Sequence, residues 1–300
     1  MIRFLKCVMT WLLAGSALAS VVPAHAATLV VGGKNFTEQL LLAEITSQYL
    51  RSRGYTVESR SGLGSVLMRS ALENRQLDIV WDYTGTALIV YNRIHEKLDP
   101  QTAYRRVRDL DKPRGLVWLK PSALNNTYAL AMPRKRAERD GIRTISQLAA
   151  KIRQDDPHKR HWFAMDAEFA NRPDGLRPLQ ALYDLRLRRS DVKQMDSGLV
   201  YTALHNDQAM FGLVYTTDGR IKGFGITVLD DDLGFFPAYN ATPVVRRDVL
   251  DQHPELAKQL DALSAQINSE VMSEMNKRVD IDEESISAVA ADFLRTHALP

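Results

Sequence analysis

Trp81-Asp82-Tyr83-Thr84-Gly85-Thr86-Ala87-Leu88 gathers an aromatic pair, a carboxylate, two hydroxyls and a glycine into one short stretch. An aromatic face can hold a cation that has no hydrogen to donate, and hydroxyls or backbone N–H groups can hold an anion. The stretch follows the apolar run Leu77 to Val80, which reads as a strand, and strand ends at a domain edge are where ligands sit. A plainer reading is equally open here: the Trp and Tyr pack a loop onto the core. Two cations stand at comparable places. Lys34 follows the strand-like Thr28 to Val31 and a glycine turn, just before a helical pattern whose N-terminus favours anions. Arg172 lies in the charged, turn-rich run Asp166 to Gly175, and its planar fork suits a carboxylate. Each reads as readily as a solvated loop cation or, for Arg172, as a structurally paired one. Tyr215-Thr216-Thr217-Asp218-Gly219 repeats the theme of an aromatic and two hydroxyls at a strand end.

The elements that must position these residues alternate. Thr28 to Val31, the helix Glu38 to Leu50, Tyr55 to Arg60, the helix Val66 to Glu73 and Leu77 to Val80 predict strand, helix, strand, helix, strand. That order argues for an α/β domain with a largely parallel sheet, and right-handed connections put the Lys34 and Tyr83 stretches on one sheet edge. Further strands are expected at Leu116–Leu119, Tyr128–Met132, Trp162–Met165, Met210–Tyr215, Ile226–Leu229 and Val244–Arg246, with a capped helix at Ile145 and a helical tail from Asp248, its last helix from Ile281. Asn125-Asn126-Thr127-Tyr128 and the proline-bounded Phe235 to Pro243 fit crossings between two domains. Arg105, Arg106 and Arg108 belong on a solvated helix face.

The first residues read as an export signal: Arg3 and Lys6, an apolar run from Val8 to Val22, and Ala24-His25-Ala26 as a cleavage site. Cys7, the single cysteine among 300 residues, falls within it, so the mature chain has no disulfide, thiol nucleophile or thiolate metal site. No later segment approaches about 18 uninterrupted apolar residues. Of 39 Lys+Arg against 36 Asp+Glu, two basic residues leave with the signal, so the mature protein is near neutral and has no basic surplus to suggest nucleic acid or anionic lipid. The glycines at 32 and 33 lack the spacing of a phosphate loop. None of the seven His stands beside a nucleophile, no G-x-S-x-G elbow occurs and no His pair has metal spacing; His158 and His161 read as solvated. Asp230, Asp231 and Asp232 read as a solvated turn and not as an ion site.

Taken together, Gly33 to Glu38, Leu77 to Ala87, Asn125 to Tyr128, Glu168-Phe169 to Gly175, Tyr215 to Gly219 and Pro237 to Pro243 resemble the substrate-binding proteins of ABC importers for quaternary-ammonium osmoprotectants, of the glycine betaine, choline and carnitine type. The resemblance covers the mature chain. It implies a two-lobe periplasmic binding protein fold (type II), with two α/β domains joined by two crossing segments: residues 27–127 plus 240–300 as a discontinuous first lobe and 128–239 as the second, after a signal at 1–26. It also implies a cage of Tyr83, Tyr128, Tyr215 and Tyr239 around the ammonium, with Lys34, Thr86 and Arg172 at the carboxylate. A periplasmic monomer is expected that hands its solute to importer permease subunits, without cofactor, metal, catalytic residue or nucleic acid.

The chemistry of the cage agrees, since a trimethylammonium group cannot be hydrogen-bonded and is met well only by electron-rich ring faces. Tyr91, Tyr104, Tyr183 and Tyr201 are left out, the last two as helical core. Asp82 and Asp218 read as anchors beside the cage, and Trp81 as packing. An amino acid or polyamine on the same fold is the alternative, though an amino acid would call for an acidic acceptor facing its ammonium. An enzyme is the more distant one.

Overall fold

A computed structural model describes residues 28–156, 158–297 and 299. The export signal and Cys7 lie outside the described residues. Among the described residues, ten strands form two separate sheets. In chain order they are β1 Leu29–Lys34, β2 Val57–Leu63, β3 Ile79–Tyr83, β4 Leu116–Trp118, β5 Tyr128–Pro133, β6 Phe163–Met165, β7 Val192–Gln194, β8 Phe211–Tyr215, β9 Ile226–Val228 and β10 Ala241–Arg246. The first sheet has the order β2-β1-β3-β10-β4 and the second β7-β6-β8-β5-β9.

Helices connecting the strands cover both sheets, as the alternation predicts. Thr37–Ser52 lays Leu41, Leu42, Ile45 and Leu50 against the first sheet, and apolar residues from the C-terminal helices Leu256–Ser264, Ser269–Asp280 and Ile286–Thr296 join the same core. The second sheet is packed by Ile145–Gln154, whose capping box of Thr144 and Gln147 fixes its start, and by Leu176–Tyr183. The last helix begins at Ile286 behind the Ser285 cap, not at Ile281. No helix among the described residues is long and apolar enough to cross a membrane.

Neither sheet is mainly parallel. β1 runs parallel to β2 and β3, but β10 is antiparallel to both β3 and β4. In the second sheet β6 runs parallel to β7 and β8, while β5 is antiparallel to β8 and β9. The antiparallel members, β5 and β10, are the strands that enter each sheet from a crossing segment. A chain arriving from the other lobe is free of the handed crossover that forces neighbours parallel.

The two crossings lie side by side. Asn125 and Asn240 form an antiparallel bridge, the Asn126 N–H donates to the Tyr239 carbonyl at 3.2 Å, and the Ala241 N–H donates to the Leu124 carbonyl at 3.0 Å. The Thr127 hydroxyl donates to the Pro237 carbonyl at 2.9 Å. The two chains between the sheets therefore act as one short ribbon.

The Trp81–Leu88 stretch is not a loop. Trp81, Asp82 and Tyr83 complete β3, and Thr84–Thr86 turns directly into helix, every residue buried. β3 is the central strand, flanked by β1 and β10 and covered on both faces, so its sequence shows no polar alternation to mark its length. Trp81, 1% exposed, packs in the core and donates its indole N–H to Thr46 Oγ1 at 2.8 Å. Tyr183 and Tyr201 are core as expected.

One loop expectation needs correction and a second is refined. His161 is buried beside Met210 and Asp155 and is not solvated; burial, foremost, holds its imidazole below the usual range. Asp231 is a turn anchor, accepting from the Tyr183 hydroxyl at 2.5 Å and from the Phe235 and Phe236 N–H groups at 2.7 Å each, while Asp232 accepts from the Ser146 N–H. Two of these donors, Tyr183 and Ser146, lie far off in sequence.

Candidate ligand-binding site

A cleft of about 460 Å³ opens between the two sheets. The first sheet contributes Lys34 at the end of β1, Phe36 just beyond it, Tyr83 at the end of β3, Thr86 on the following turn, and Ser65. The second contributes Tyr128 from the start of β5, Tyr215 from the end of β8, Asp166, Glu168 and the segment Gln194 to Ser197. Asn126 and Tyr239 come from the crossings. Strand ends from two sheets and both hinge segments thus converge.

The aromatic rings are contiguous. Tyr128 and Tyr215 are direct cross-strand partners, their ring centroids 5.3 Å apart. Tyr239 meets Tyr128 edge-on at 5.3 Å, and Phe36 bridges Tyr215 at 5.0 Å to Tyr83 at 6.4 Å. The four expected tyrosines therefore stand in one wall, with Phe36 as a fifth ring.

Three of the four tyrosine hydroxyls face carboxylates. Tyr83 donates to Glu38 Oε1 at 2.6 Å, Tyr239 to Asp174 Oδ2 at 2.5 Å, and Tyr215 lies 3.5 Å from Asp166 Oδ2, the outer limit of a hydrogen bond. The Tyr128 hydroxyl has no hydrogen-bond partner among the described residues. Burial, foremost, pushes all four phenols above their ordinary range, so each remains a neutral donor.

The expected cations are both engaged by the protein. The Lys34 ammonium lines the cleft, 2.9 Å from Asp82 Oδ1 and 4.9 Å over the Tyr83 ring. Arg172 does not line it. Its guanidinium is clamped by Asp174 through two bonds of 2.8 and 2.7 Å, reaches Glu168 at 3.3 Å, and lies over the rings of Tyr128 at 5.4 Å and Tyr239 at 5.7 Å. One Arg172 nitrogen comes within 3.5 Å of Thr86 Oγ1, so it backs the wall and touches the cleft through Thr86. Of the two carboxylates beside the cage, Asp82 holds Lys34 and Asp218 holds Arg220.

Residues 27–296 match the family described as the substrate binding domain of ABC-type glycine betaine transport systems. The chain belongs to this family. It is 54% identical over 279 residues to the glycine-betaine-binding protein of Pseudomonas aeruginosa, covering 92% of this chain and 90% of that one. It is 33% identical over 270 residues to the ergothioneine transport permease/ergothioneine binding protein EgtU of Helicobacter pylori, covering 89% of this chain and 47% of that protein. Among solved structures, that of a glycine betaine/carnitine/choline ABC transporter superposes with a TM-score of 0.71 at 26% identity, covering 90% of this chain and 98% of the other. The family is one of substrate-binding proteins, and its two-lobed α/β architecture is the one seen here.

Within this family fold, the cleft residues that the sequence does not single out as ligand contacts include Phe36, Asn126, Asp166 and Glu168. Phe36, Asn126 and Glu168 sit inside stretches that carry the resemblance, so the signal is at hand; an aromatic two residues after a strand-end lysine is placed for the same cleft. Asp166 and Glu168 looked like turn formers. Asp166 does cap its helix through the Phe169 N–H, yet it also lines the cleft, and burial, foremost, raises its carboxyl. Glu168 is pushed up by burial but drawn lower overall by Lys34, Ser65 and Arg172. Its Oε2 accepts from the Ser65 N–H at 3.4 Å, one of the bonds that join the lobes.

Proposed function

We propose that this protein is an exported, monomeric substrate-binding protein that captures a quaternary-ammonium compatible solute, glycine betaine in the first place, between two lobes and delivers it to the permease of an ABC importer. The observation that carries the reading is the contiguous wall of Tyr83, Phe36, Tyr215, Tyr128 and Tyr239, with the Lys34 ammonium within 4.9 Å of one of its rings. Each ring face adds roughly 0.5 to 2 kcal/mol to the hold on a desolvated cation. A betaine is short, so a cation at the wall leaves its carboxylate close to Lys34 and Thr86. In this reading Tyr83, Tyr128, Tyr215 and Tyr239 form the cage, Lys34 and Thr86 meet the carboxylate, and Arg172 orients Thr86 from behind. The similarity to a glycine-betaine-binding protein over nearly the full length of both chains supports the same ligand class.

The lobes are proposed to divide at the ribbon: residues 27–127 with 240–300 on one side, 128–239 on the other. Bending there lets the cleft close on its solute. Thermal melting with glycine betaine, carnitine, choline and ergothioneine tests the reading. A rise in melting temperature with glycine betaine is expected; no shift with any quaternary ammonium, alongside a shift with an ordinary amino acid or a polyamine, would replace it.

A further inference from the structure

Glu38 is an anomaly of the site. It sits on the first turn of the helix Thr37–Ser52, directly behind the aromatic wall, and is 2% exposed. Its carboxylate accepts three hydrogen bonds: from the Tyr83 hydroxyl at 2.6 Å and Asn126 Nδ2 at 3.0 Å on Oε1, and from the Thr217 hydroxyl at 2.6 Å on Oε2. All three donors are neutral. No lysine, arginine or histidine among the described residues makes an ion pair with it, as is also true of Asp166 in the cleft lining, whereas Asp82, Asp174 and Glu168 around the same cleft each have one.

A buried carboxylate without a countercharge is costly. The hydrogen-bond pattern does not require the charge, because a glutamine could accept from Tyr83 and Asn126 and donate to the Thr217 oxygen. The charge has a use in the cleft. Gln39 Nε2 donates to the Tyr83 oxygen at 3.0 Å, which fixes the phenol to point its own proton at Glu38. Donation to a carboxylate shifts electron density from the O–H bond into the ring, and the ring face becomes more negative. A cation over the face of that ring, beside the Lys34 ammonium at 4.9 Å, meets both the enriched face and the field of the carboxylate at its hydroxyl edge, screened little because both are out of water. Asp174 stands in the same relation to Tyr239, but its charge is already met by Arg172.

Building on the quaternary-ammonium reading of the cleft, we propose that Glu38 is the countercharge of the bound cation, acting through the Tyr83 ring, and so sets the preference for a charged head over an uncharged one of the same shape. It is a positioning residue, since Tyr83 stands between it and the ligand.

The test is calorimetric titration of the wild type and Glu38→Gln with glycine betaine and with tert-butylacetate, which keeps the carboxylate and the shape of the head but not its charge, read with the melting temperature of each ligand-free protein. Glu38→Gln is expected to lose about tenfold in affinity for glycine betaine, a loss typical of one strong cation–ring contact, with less than a twofold change for tert-butylacetate and no fall in melting temperature. Unchanged betaine affinity, an equal loss for both ligands, or a loss accompanied by a lower melting temperature would each overturn the role. A wild type that takes no quaternary ammonium would overturn the function itself. Should Glu38→Gln not fold, Tyr83→Phe removes the donated proton and keeps the ring; the same loss confined to the charged ligand is expected, and an equal loss for both would refute the proposal.

Discussion

The Thr217 hydroxyl donates to Glu38 across 2.6 Å, joining the segment after β8 of the second sheet to the helix that follows β1 of the first. The Thr217 carbonyl meanwhile accepts from Ser273 Oγ at 3.0 Å and Asn276 Nδ2 at 2.9 Å, both on the C-terminal helix Ser269–Asp280. One residue thus ties two lobes at three points, next to Tyr215 and behind the cage. Thr217→Val keeps the shape and the carbonyl bonds but leaves Glu38 short of a donor. The expected cost is about 1 to 3 kcal/mol in the closed form, read as a roughly fivefold or larger loss of betaine affinity by calorimetry. Affinity equal to the wild type would show that the lobes close without this bond.

Gly85 lies where Tyr239 approaches the first lobe. A Cβ there would stand 2.7 Å from two atoms of the Tyr239 ring and 2.8 Å from the Ala238 carbonyl oxygen, closer than real contacts permit. Gly85→Ala therefore pushes the second crossing away from β3. Overpacking of this kind costs about 1 to 3 kcal/mol, and the displaced ring opens the wall. Melting should fall by several degrees and betaine affinity by about tenfold or more; an unchanged melting temperature and affinity would mean the crossing yields freely.

Burial, foremost, raises the Glu38 carboxyl above the ordinary glutamate value, with the charge of Asp218 adding to the effect. For a carboxyl raised in the folded state, the stabilising contribution is complete below the unfolded value and is lost as pH rises through the folded one. Glu38→Gln does not titrate. The melting temperature of the variant relative to the wild type should then climb as pH goes from below the usual glutamate range to neutrality. A difference that stays constant across that range would contradict a buried, titrating Glu38.

Much of this was legible in sequence, and what was hidden has physical causes. Lys34, Tyr83 and Tyr215 close apolar runs and Tyr128 opens one, so these strand ends could be read directly, and all four line the cleft. The directions of β5 and β10 could not be read, because a strand entering from a crossing carries no mark of which way its neighbours run. Arg172 reads equally as a carboxylate clamp or as a structurally paired arginine; the turn that brings Asp174, two residues away, into a bidentate pair with it is not visible in the sequence. Glu38 reads as an ordinary acid on the first turn of a helix, favoured there by the helix dipole; only its three donors, from residues 83, 126 and 217, distinguish it.

The account rests on aromatic faces holding a cation between the lobes. Calorimetric titration of glycine betaine into the wild type, Tyr83→Ala and Tyr215→Ala tests it most directly. Saturable one-to-one binding is predicted for the wild type, with a loss of about tenfold or more in each variant while both still melt cooperatively. Wild-type affinity in the two folded variants would contradict the cage.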